Sequence, residues 1–250
     1  IPNIELRLEH ILKKQVFGLG ITELTSFLSR RSLYCSKQAN GKYSIVNFND
    51  NEGNIKYLDT QHVWKTNNKC KYCGINKKIY SRERDQESYA YSFIHENNLN
   101  EIFNMKFDVI IGNPPYQMTD GGHGSSAVPI YNKFIEQAIK LNPRFLSMIV
   151  PSRWFAGGRG LEEFRKNMLN DTRIKEIHDF PDSSDCFPGV EIKGGVNYFL
   201  WDRDYNGQCT VFTHKNNEIQ SKKKRSLLLK GTDIFIRHNE GINILNKVRE

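Results

Sequence analysis

The sequence predicts an α/β fold: a doubly wound, mostly parallel sheet that closes with a C-terminal antiparallel hairpin. Short runs of β-branched and aromatic residues alternate with segments of helical periodicity, as in parallel sheets whose strands are joined by helices. Two apolar runs, GVNYFLWD and QCTVFTH, flank a polar turn with Asn206-Gly207, which is typical of a hairpin. No apolar run reaches the roughly 18 residues that a membrane span needs, which excludes that class.

The N-terminal part of the chain predicts a helix, a strand, a second helix and a second strand. Thr22 is placed to cap the second helix, and Glu23 lies in its first turn. A polar stretch, residues 51–84, then interrupts the alternation and carries two closely spaced cysteines, so we expect an inserted lobe there, the cysteine lobe. The four elements are IPNIELRLEHIL, QVFGLGI (15–21), TELTSFLSRRSLY (22–34) and KYSIVNFND (42–50).

The alternation resumes near residue 86. The lysine run SKKKR (221–225) predicts a linker, so we expect one main domain over residues 1–220, with the lobe inserted, and the start of a next region over 221–250. The predicted elements are, in order, a helix near 86–96, the buried strand FDVIIG (107–112), a helix at about 129–140, the strand RFLSMIVP (144–151), a helix at 161–169 and the strand RIKEIHDF (173–180).

Composition and charge restrict the function. A formal net charge of +8, with basic residues grouped at 30–31, 69–78 and 222–225, favours a polyanionic partner over a merely solvated basic surface. Five cysteines and no secretory signal argue against a disulfide framework and predict a cytoplasmic protein. Because the sequence starts at Ile1 rather than at methionine, we expect it to be a piece of a longer chain.

The loop after FDVIIG carries the clearest chemistry. Pro114 and Pro115 stiffen it and donate no N–H, so local carbonyls and the Asn113 side chain are left as acceptors. Such acceptors fit an exocyclic amino group, whose lone pair they make available to an electrophile. Tyr116 offers a flat face on which a planar ring can stack. The loop therefore predicts a site for a base removed from its helix.

The sequence resembles the N6-adenine DNA methyltransferases, especially the methylase part of type II restriction-modification enzymes. The segments that carry the resemblance are VFGLGITELTSFLSRRSLYCSK, FDVIIGNPPYQ, IVPSRWFAGGRG and DCFPGVEIKGGVNYFLWD. The resemblance implies a Rossmann-like fold, double-stranded DNA as substrate and S-adenosylmethionine as methyl donor. It implies that Asn113 and the Pro114 carbonyl accept hydrogen bonds from adenine N6, and that Tyr116 and Phe187 pack on the two faces of the flipped base. A restriction nuclease domain or subunit is an implied partner in the full-length system.

The family's cofactor-binding pattern is incomplete in this sequence. We find no convincing copy of its acidic-x-x-x-G-x-G loop; FGLG (17–20) is the nearest match and lies where the family's second strand is expected. The acidic residue that binds the ribose hydroxyls in the family falls here on Gly20. Glu23 is either its substitute or a residue that stabilises the helix dipole. The implied cofactor-binding set is Gly20, Glu23 and Asn113, and we expect the fragment alone to be a poor enzyme.

The cysteine lobe predicts a structural zinc site. Cys70 and Cys73 form a CxxC knuckle followed by glycine, which lets two thiolates share one metal. The predicted Cys3His set adds Cys35 and His62, with His95 as the substitute ligand. Because the lobe has few apolar residues, it needs another source of stability, which favours zinc over a redox pair or two unligated thiols.

Three other functions remain open from the sequence. Protein glutamine methyltransferases share the Asn-Pro-Pro-Tyr loop, although the net positive charge favours DNA. A nonenzymatic DNA-binding fragment is compatible with the missing glycine loop. The segment PDSSDCFPGVEIK (181–193) also matches the Pro-Asp and Glu-x-Lys pattern of magnesium-dependent nucleases. Its short spacing, and its overlap with the segment that carries Phe187, make the nuclease the weakest of the three.

Overall fold

A computed structural model describes residues 1–77, 90–96, 99–118, 128–158 and 160–249. The chain divides into two compact units, Ile1–Met105 and Lys106–Glu250. The expected boundary near residue 220 differs from this division, because that position lies inside a strand, Glu218–Arg225. No helix in the described residues has both the length and the apolar character that a membrane crossing requires.

The first unit is built around a small apolar core. Its described elements are α1 (Ile4–Lys14), β1 (Gly18–Leu19), α2 (Glu23–Tyr34), β2 (Ile55–Lys56), α3 (Ser92–His95) and α4 (Leu99–Phe103). The core consists of Leu12, Tyr34, Ala39, Val46 and Ile55. The predicted strand at 42–50 is absent: β1 pairs in parallel with β2 instead, because backbone groups of that segment bond to the end of α2, as in Ile45 N–H to Tyr34 O at 2.9 Å. Of the helix predicted near 86–96, α3 is described, and residues 86–89 lie outside the described ranges.

Helix α2 is fixed at its start and along its buried side. The predicted cap is confirmed: Thr22 Oγ1 accepts from the Thr25 amide at 3.1 Å, and Thr25 Oγ1 accepts from the Thr22 amide at 2.9 Å. Arg30 is buried and donates to Glu52 Oε1 at 2.9 Å and to the Ile55 carbonyl at 3.0 Å. These bonds hold α2 against β2 and so position the loop that leads into the helix.

The second unit contains a six-stranded sheet in the order β10-β9-β7-β8-β6-β3. Strands β3, β6, β7 and β9 run in one direction and β8 and β10 in the other, so the predicted α/β class with a central sheet is confirmed. The sheet is mixed rather than mostly parallel, because only β3–β6 and β7–β9 pair in parallel, while β6–β8, β7–β8 and β9–β10 are antiparallel. Its elements are β3 (Val109–Gly112), β4 (Gln117–Met118), β5 (Val128–Pro129), α5 (Tyr131–Lys140), β6 (Phe145–Pro151), α6 (Glu162–Asn170), β7 (Ile174–Phe180), β8 (Val196–Asp202), β9 (Cys209–Lys215), β10 (Glu218–Arg225) and α7 (Asn239–Arg249).

The antiparallel hairpin lies one strand later than predicted. β8 and β9 do not pair with each other, because β7 lies between them, antiparallel to β8 and parallel to β9. The hairpin joins β9 to β10 through Asn216 and Asn217, whose φ angles of 53° and 61° suit a tight hairpin turn. The lysine run predicted as a linker is therefore part of edge strand β10, where lysines discourage pairing with another chain.

Strand β3 is correctly predicted in position but not in burial. It pairs with β6 and forms the sheet's edge in the described chain. Val109 is 54% exposed and Ile111 is 77% exposed. A run of β-branched residues sets strand propensity, whereas burial depends on which elements cover the strand.

A buried ion pair ties the C-terminal segment to the sheet. Asp179 on β7 is fully buried and accepts hydrogen bonds from Arg237 Nη2 at 2.8 Å and from Ser152 Oγ at 2.9 Å. Arg237 Nε also donates to the same carboxylate. The charge of Asp179 is thus compensated by one cation and one hydroxyl, and removing the cation would leave a buried carboxylate.

Arg237→Met is expected to lower the free energy of unfolding by about 3–5 kcal/mol, because Asp179 loses its counter-charge. Lys175→Met is the matched control, since Lys175 lies 3.9 Å from Asp202 and is 44% exposed; a long ion pair with a solvated lysine contributes about 0–1 kcal/mol. Urea unfolding monitored by circular dichroism measures both. Equal losses in the two variants would show that the buried pair contributes no more than a surface pair.

Candidate functional site

The Asn-Pro-Pro-Tyr loop begins where β3 ends. Asn113 is exposed, Pro114 is buried, and Pro115 and Tyr116 are half-buried. The Tyr116 carbonyl accepts a hydrogen bond from the amide of Ile130 at 3.2 Å, directly before α5. Beyond the loop, β4 pairs with β5. The loop is therefore anchored at both ends, and its amide side chain faces solvent at the carboxyl end of a strand, where ligands bind in open α/β sheets.

Tyr116 combines a half-exposed ring with a buried hydroxyl. The hydroxyl has no hydrogen-bond partner among the described residues. Burial raises the pKa of Tyr116 to about 12, and Coulombic repulsion from Cys186 adds to this shift. The phenol is thus neutral at physiological pH, and the influence of Cys186 indicates that the segment next to Phe187 lies near the loop.

The Phe187 loop is organised by Ser183, which the sequence analysis did not identify. The buried Ser183 hydroxyl donates to the Val190 carbonyl at 2.9 Å and accepts from the Ile192 amide at 2.8 Å. The Phe187 amide donates to the Ser183 carbonyl at 2.8 Å. Phe187 is half-buried. One serine in a polar stretch carries no sequence signal for this role, because the contacts arise from the return of the loop.

The structure does not support the nuclease interpretation of residues 181–193. Asp182 accepts from the Ser184 amide at 2.9 Å and so caps a short 3-10 helix, Ser183–Asp185. Asp182, Glu191 and Lys193 are all exposed. The group of described residues that could hold a metal includes none of these three. The resemblance to the nuclease pattern is explained by a helix cap and two solvated charges.

The predicted cofactor-binding residues are divided between the two units. Gly20 and Glu23 belong to the first unit and Asn113 to the second. A Cβ at Gly20 would lie 1.9 Å from Ser26 Oγ, so a side chain there would require Ser26 to move. Close packing against α2 therefore disfavours the family's acidic residue at this position. Glu23 is exposed in the first turn of α2, and its carboxylate is accessible.

Gly20→Asp is expected to lower the free energy of unfolding by about 1–3 kcal/mol through overpacking. The double variant with Ser26→Gly, which removes the obstructing hydroxyl, should recover part of the loss. Gly157→Ala is the control, because its nearest neighbouring atom is 4.0 Å from the built Cβ. Thermal unfolding of the three variants provides the measurement. A Gly20→Asp variant as stable as the control would show that Ser26 moves aside without cost.

A second cluster, in the first unit, has the composition of a metal site. The side chains of His62, Cys70, Cys73 and His95 are buried, and their ligand atoms all lie within 4.8 Å of one another. Cys70 Sγ is 3.4 Å from His95 Nε2, and Cys73 Sγ is 3.5 Å from His62 Nδ1. Ligand atoms of a tetrahedral zinc ion, with bonds of about 2.0–2.3 Å, are separated by about 3.3–3.8 Å. The four residues therefore fit a zinc ion.

The structure replaces one predicted ligand. Cys35 is exposed at the C-cap of α2 and is not a member of the cluster, whereas His95 from α3 is. His95 Nδ1 lies 2.8 Å from the carbonyl of Tyr91, which accepts a hydrogen bond from Nδ1–H, and Nε2 lies 3.4 Å from Cys70 Sγ. Such an outer hydrogen bond fixes the ring tautomer of a metal-binding histidine. Sequence spacing cannot choose between Cys35 and His95, because the choice depends on how α3 packs.

In the absence of a metal, burial determines the protonation states of the Cys73 thiol and the His95 imidazole. It raises the pKa of the Cys73 thiol to about 12 and lowers the pKa of His95. At neutral pH the thiol is therefore protonated and the imidazole is neutral. A bound cation would ionise the thiol, because metal coordination deprotonates cysteine.

Comparison with known proteins identifies the family to which this chain is similar. A family model described as Eco57I restriction-modification methylase matches residues 14–187. A protein of Mycoplasma pneumoniae described as an uncharacterized adenine-specific methylase is 38% identical over 253 residues, which cover 90% of this chain and 60% of that protein. The chain thus spans about three-fifths of the length of that relative.

Two solved structures are more distant. A type I restriction-modification methyltransferase subunit from Streptococcus thermophilus has a TM-score of 0.37 at 15% identity, over 65% of this chain and 36% of that one. A DrdV–DNA complex has a TM-score of 0.44 at 12% identity, over 84% of this chain and 22% of the other. From the family match and the Mycoplasma relative, the chain belongs to the Eco57I restriction-modification methylase family.

Proposed function

We propose that this chain supplies the catalytic loop of an adenine-N6 DNA methyltransferase of a restriction-modification system. The observation that carries the proposal is the loop at the end of β3, in which an exposed asparagine, a buried proline, a half-buried proline and a half-buried tyrosine are consecutive. Family membership and the described activity of the Mycoplasma relative support it. The proposed substrate is duplex DNA, and a nuclease domain or subunit is the proposed partner in the complete system.

In this proposal the loop activates the amino group of an adenine taken out of the helix. Asn113 Oδ1 and the Pro114 carbonyl each accept a hydrogen bond from one N–H of the adenine amino group. These two bonds direct the N6 lone pair out of the plane of the base. Tyr116 and Phe187 hold the base by stacking, worth about 1–3 kcal/mol per base on aromatic platforms. When bound, S-adenosylmethionine would supply the methyl group: N6 would form the new N–C bond as the S–CH3 bond breaks, the sulfonium would become a neutral thioether, and N6 would lose one proton to water. The stiffness of Pro114-Pro115 keeps the acceptors oriented before the substrate binds.

The cofactor contacts that this chain offers are limited. Glu23 is the carboxylate proposed to bind the ribose hydroxyls, since its side chain is exposed at the start of α2. Gly20 lies beside it as a close-packed backbone position, where a side chain would require Ser26 to move. In the second unit, Asn113 is the proposed contact.

We also propose that the Cys/His cluster binds a structural zinc ion. A tetrahedral set of four buried ligands leaves no open coordination position for a substrate, which is typical of structural rather than catalytic zinc. The ion would link α3 to the CxxC knuckle of the cysteine lobe. Two histidines within 3.5 Å of the thiols favour a metal site over a redox pair.

The experiment is a transfer assay with isotopically labelled S-adenosylmethionine, duplex DNA and a mixture of proteins as alternative acceptors. The full-length protein and the 250-residue chain are both assayed, and the modified base is identified by mass spectrometry after DNA digestion. N6-methyladenine in the DNA supports the proposal. Label on protein glutamine would instead identify a glutamine methyltransferase. DNA binding without cofactor uptake by the full-length protein would identify a nonenzymatic binding module.

A further inference from the structure

In one part of the cysteine lobe, residues 60–77, every charged side chain is positive. Between Thr60 and Lys77 the sequence contains four lysines and no aspartate or glutamate. All four lysines are exposed, and no ion pair found in the described ranges involves them. They are Lys65, Lys69, Lys71 and Lys77, and are called the lysine face below.

Backbone hydrogen bonds bring three of these lysines to a single turn. The Lys65 amide donates to the Lys69 carbonyl at 2.9 Å, which closes the turn. Within it, Asn68 has a φ angle of 59°, a left-handed conformation that asparagine tolerates. The Lys77 amide donates to the Asn68 carbonyl at 2.8 Å and so lies beside the same turn. The position of the charges is therefore set by the backbone rather than by flexible loops.

The proposed metal ligand Cys70 and its two neighbouring lysines point in opposite directions. Cys70 forms an isolated antiparallel bridge with Trp64, and its buried side chain belongs to the Cys/His cluster. Its neighbours Lys69 and Lys71 are exposed, as expected where successive side chains of an extended segment alternate between two sides. Around Cys70, one side of the segment thus faces the Cys/His cluster, while the other presents the ammonium groups of Lys69 and Lys71 to solvent.

We propose that the lysine face is a second DNA-contacting surface, separate from the catalytic loop, which binds backbone phosphates of duplex DNA without reading sequence. Lysine is a flexible point charge that suits a row of phosphates, and phosphate contacts position a protein on DNA without specifying bases. The choice of DNA as the polyanion rests on the proposed function. The contact itself requires neither cofactor nor methyl transfer.

The test measures how DNA binding depends on salt. A labelled duplex of arbitrary sequence is titrated with the 250-residue chain, without cofactor, at 50–300 mM NaCl, and binding is followed by fluorescence anisotropy. The lysine-face variant carries Lys65→Gln, Lys69→Gln, Lys71→Gln and Lys77→Gln. In a plot of the logarithm of the binding constant against the logarithm of salt concentration, the negative slope of the variant should be smaller in magnitude than that of the wild type by about 3–4. Each phosphate contact contributes about 0.9 to this slope. Affinity at 100 mM salt should fall at least ten-fold.

The control variant makes the same change in net charge on four exposed lysines of the second unit, and it should keep the wild-type slope. Its substitutions are Lys106→Gln, Lys140→Gln, Lys166→Gln and Lys215→Gln. Equal losses in the two variants would overturn the proposal, because net charge alone would then explain the effect. A wild-type preference of more than ten-fold for single-stranded RNA over the duplex would also overturn it, as RNA would then be the partner.

Failure of the proposed function can be distinguished from failure of this inference. Asn113→Ala should leave the salt slope unchanged while it removes methyl transfer. The wild-type protein could lack methyltransferase activity while the lysine-face variant still shows a shallower salt dependence of DNA binding. That result would support the lysine face as a DNA contact and contradict the proposed function. Circular dichroism and zinc content of the lysine-face variant should match those of the wild type, since its four side chains are exposed.

Discussion

Asn113→Ala is expected to reduce the rate of methyl transfer to duplex DNA by about two to three orders of magnitude. The basis is a proposed hydrogen bond from adenine N6 to the Asn113 side-chain oxygen that strengthens as positive charge develops on the nitrogen during methyl transfer, and loss of one preorganised polar contact in an active site typically has an effect of this size. Because Asn113 is exposed, the variant should fold normally. Single-turnover transfer from labelled S-adenosylmethionine, with the full-length protein, provides the measurement.

Asn167→Ala is the matched control, since Asn167 is an exposed asparagine on α6. It should retain the wild-type rate. Tyr116→Phe separates the ring from its hydroxyl: stacking requires only the ring, so this variant should remain far more active than Tyr116→Ala. An Asn113→Ala variant that transfers methyl groups at the wild-type rate would rule out the amide as the N6 acceptor.

His95→Ala is expected to abolish stoichiometric zinc binding and to unfold the cysteine lobe. Structural zinc contributes about 10–16 kcal/mol of apparent binding free energy in small zinc-binding peptides, and loss of one of four ligands forfeits much of it. Removing the ion with a chelator should have the same effect on the wild type. The measurements are zinc content by elemental analysis and the melting temperature of the chain with and without chelator.

Cys35→Ser distinguishes the ligand set in the structure from the set predicted by sequence spacing. Cys35 is exposed and outside the cluster, so its replacement should change neither zinc content nor melting temperature. Zinc loss in Cys35→Ser together with zinc retention in His95→Ala would restore the spacing-based set. A wild-type chain purified with one equivalent of zinc, which chelation does not destabilise, would show that the ion is not structural.

Local features of the chain were predictable. Thr22 caps α2 because a hydroxyl at that position satisfies an amide of the first turn, a relation that spans four residues. Strands β6 and β7 lie within one residue of their predicted bounds. Runs of β-branched residues between polar turns predict a strand from local sequence alone. The rigidity of Asn-Pro-Pro-Tyr likewise follows from the two proline rings themselves.

Pairing and packing between distant residues were not predictable. β7 lies between β8 and β9, so the expected hairpin moved to β9 and β10. His95, not Cys35, lies with Cys70 and Cys73 in the Cys/His cluster. Ser26 occupies the space that a side chain at position 20 would enter.

The sequence by itself therefore determined the positions of strands such as β6 and β7, the cap of α2, and which loop carries the proposed chemistry. Only the tertiary structure decided which strands are neighbours, which four side chains meet, and where a side chain would require its neighbour to move. The physical reason is range: caps, periodicity and proline geometry act within a few residues, whereas pairing and ligand sets depend on distances between groups far apart in the chain.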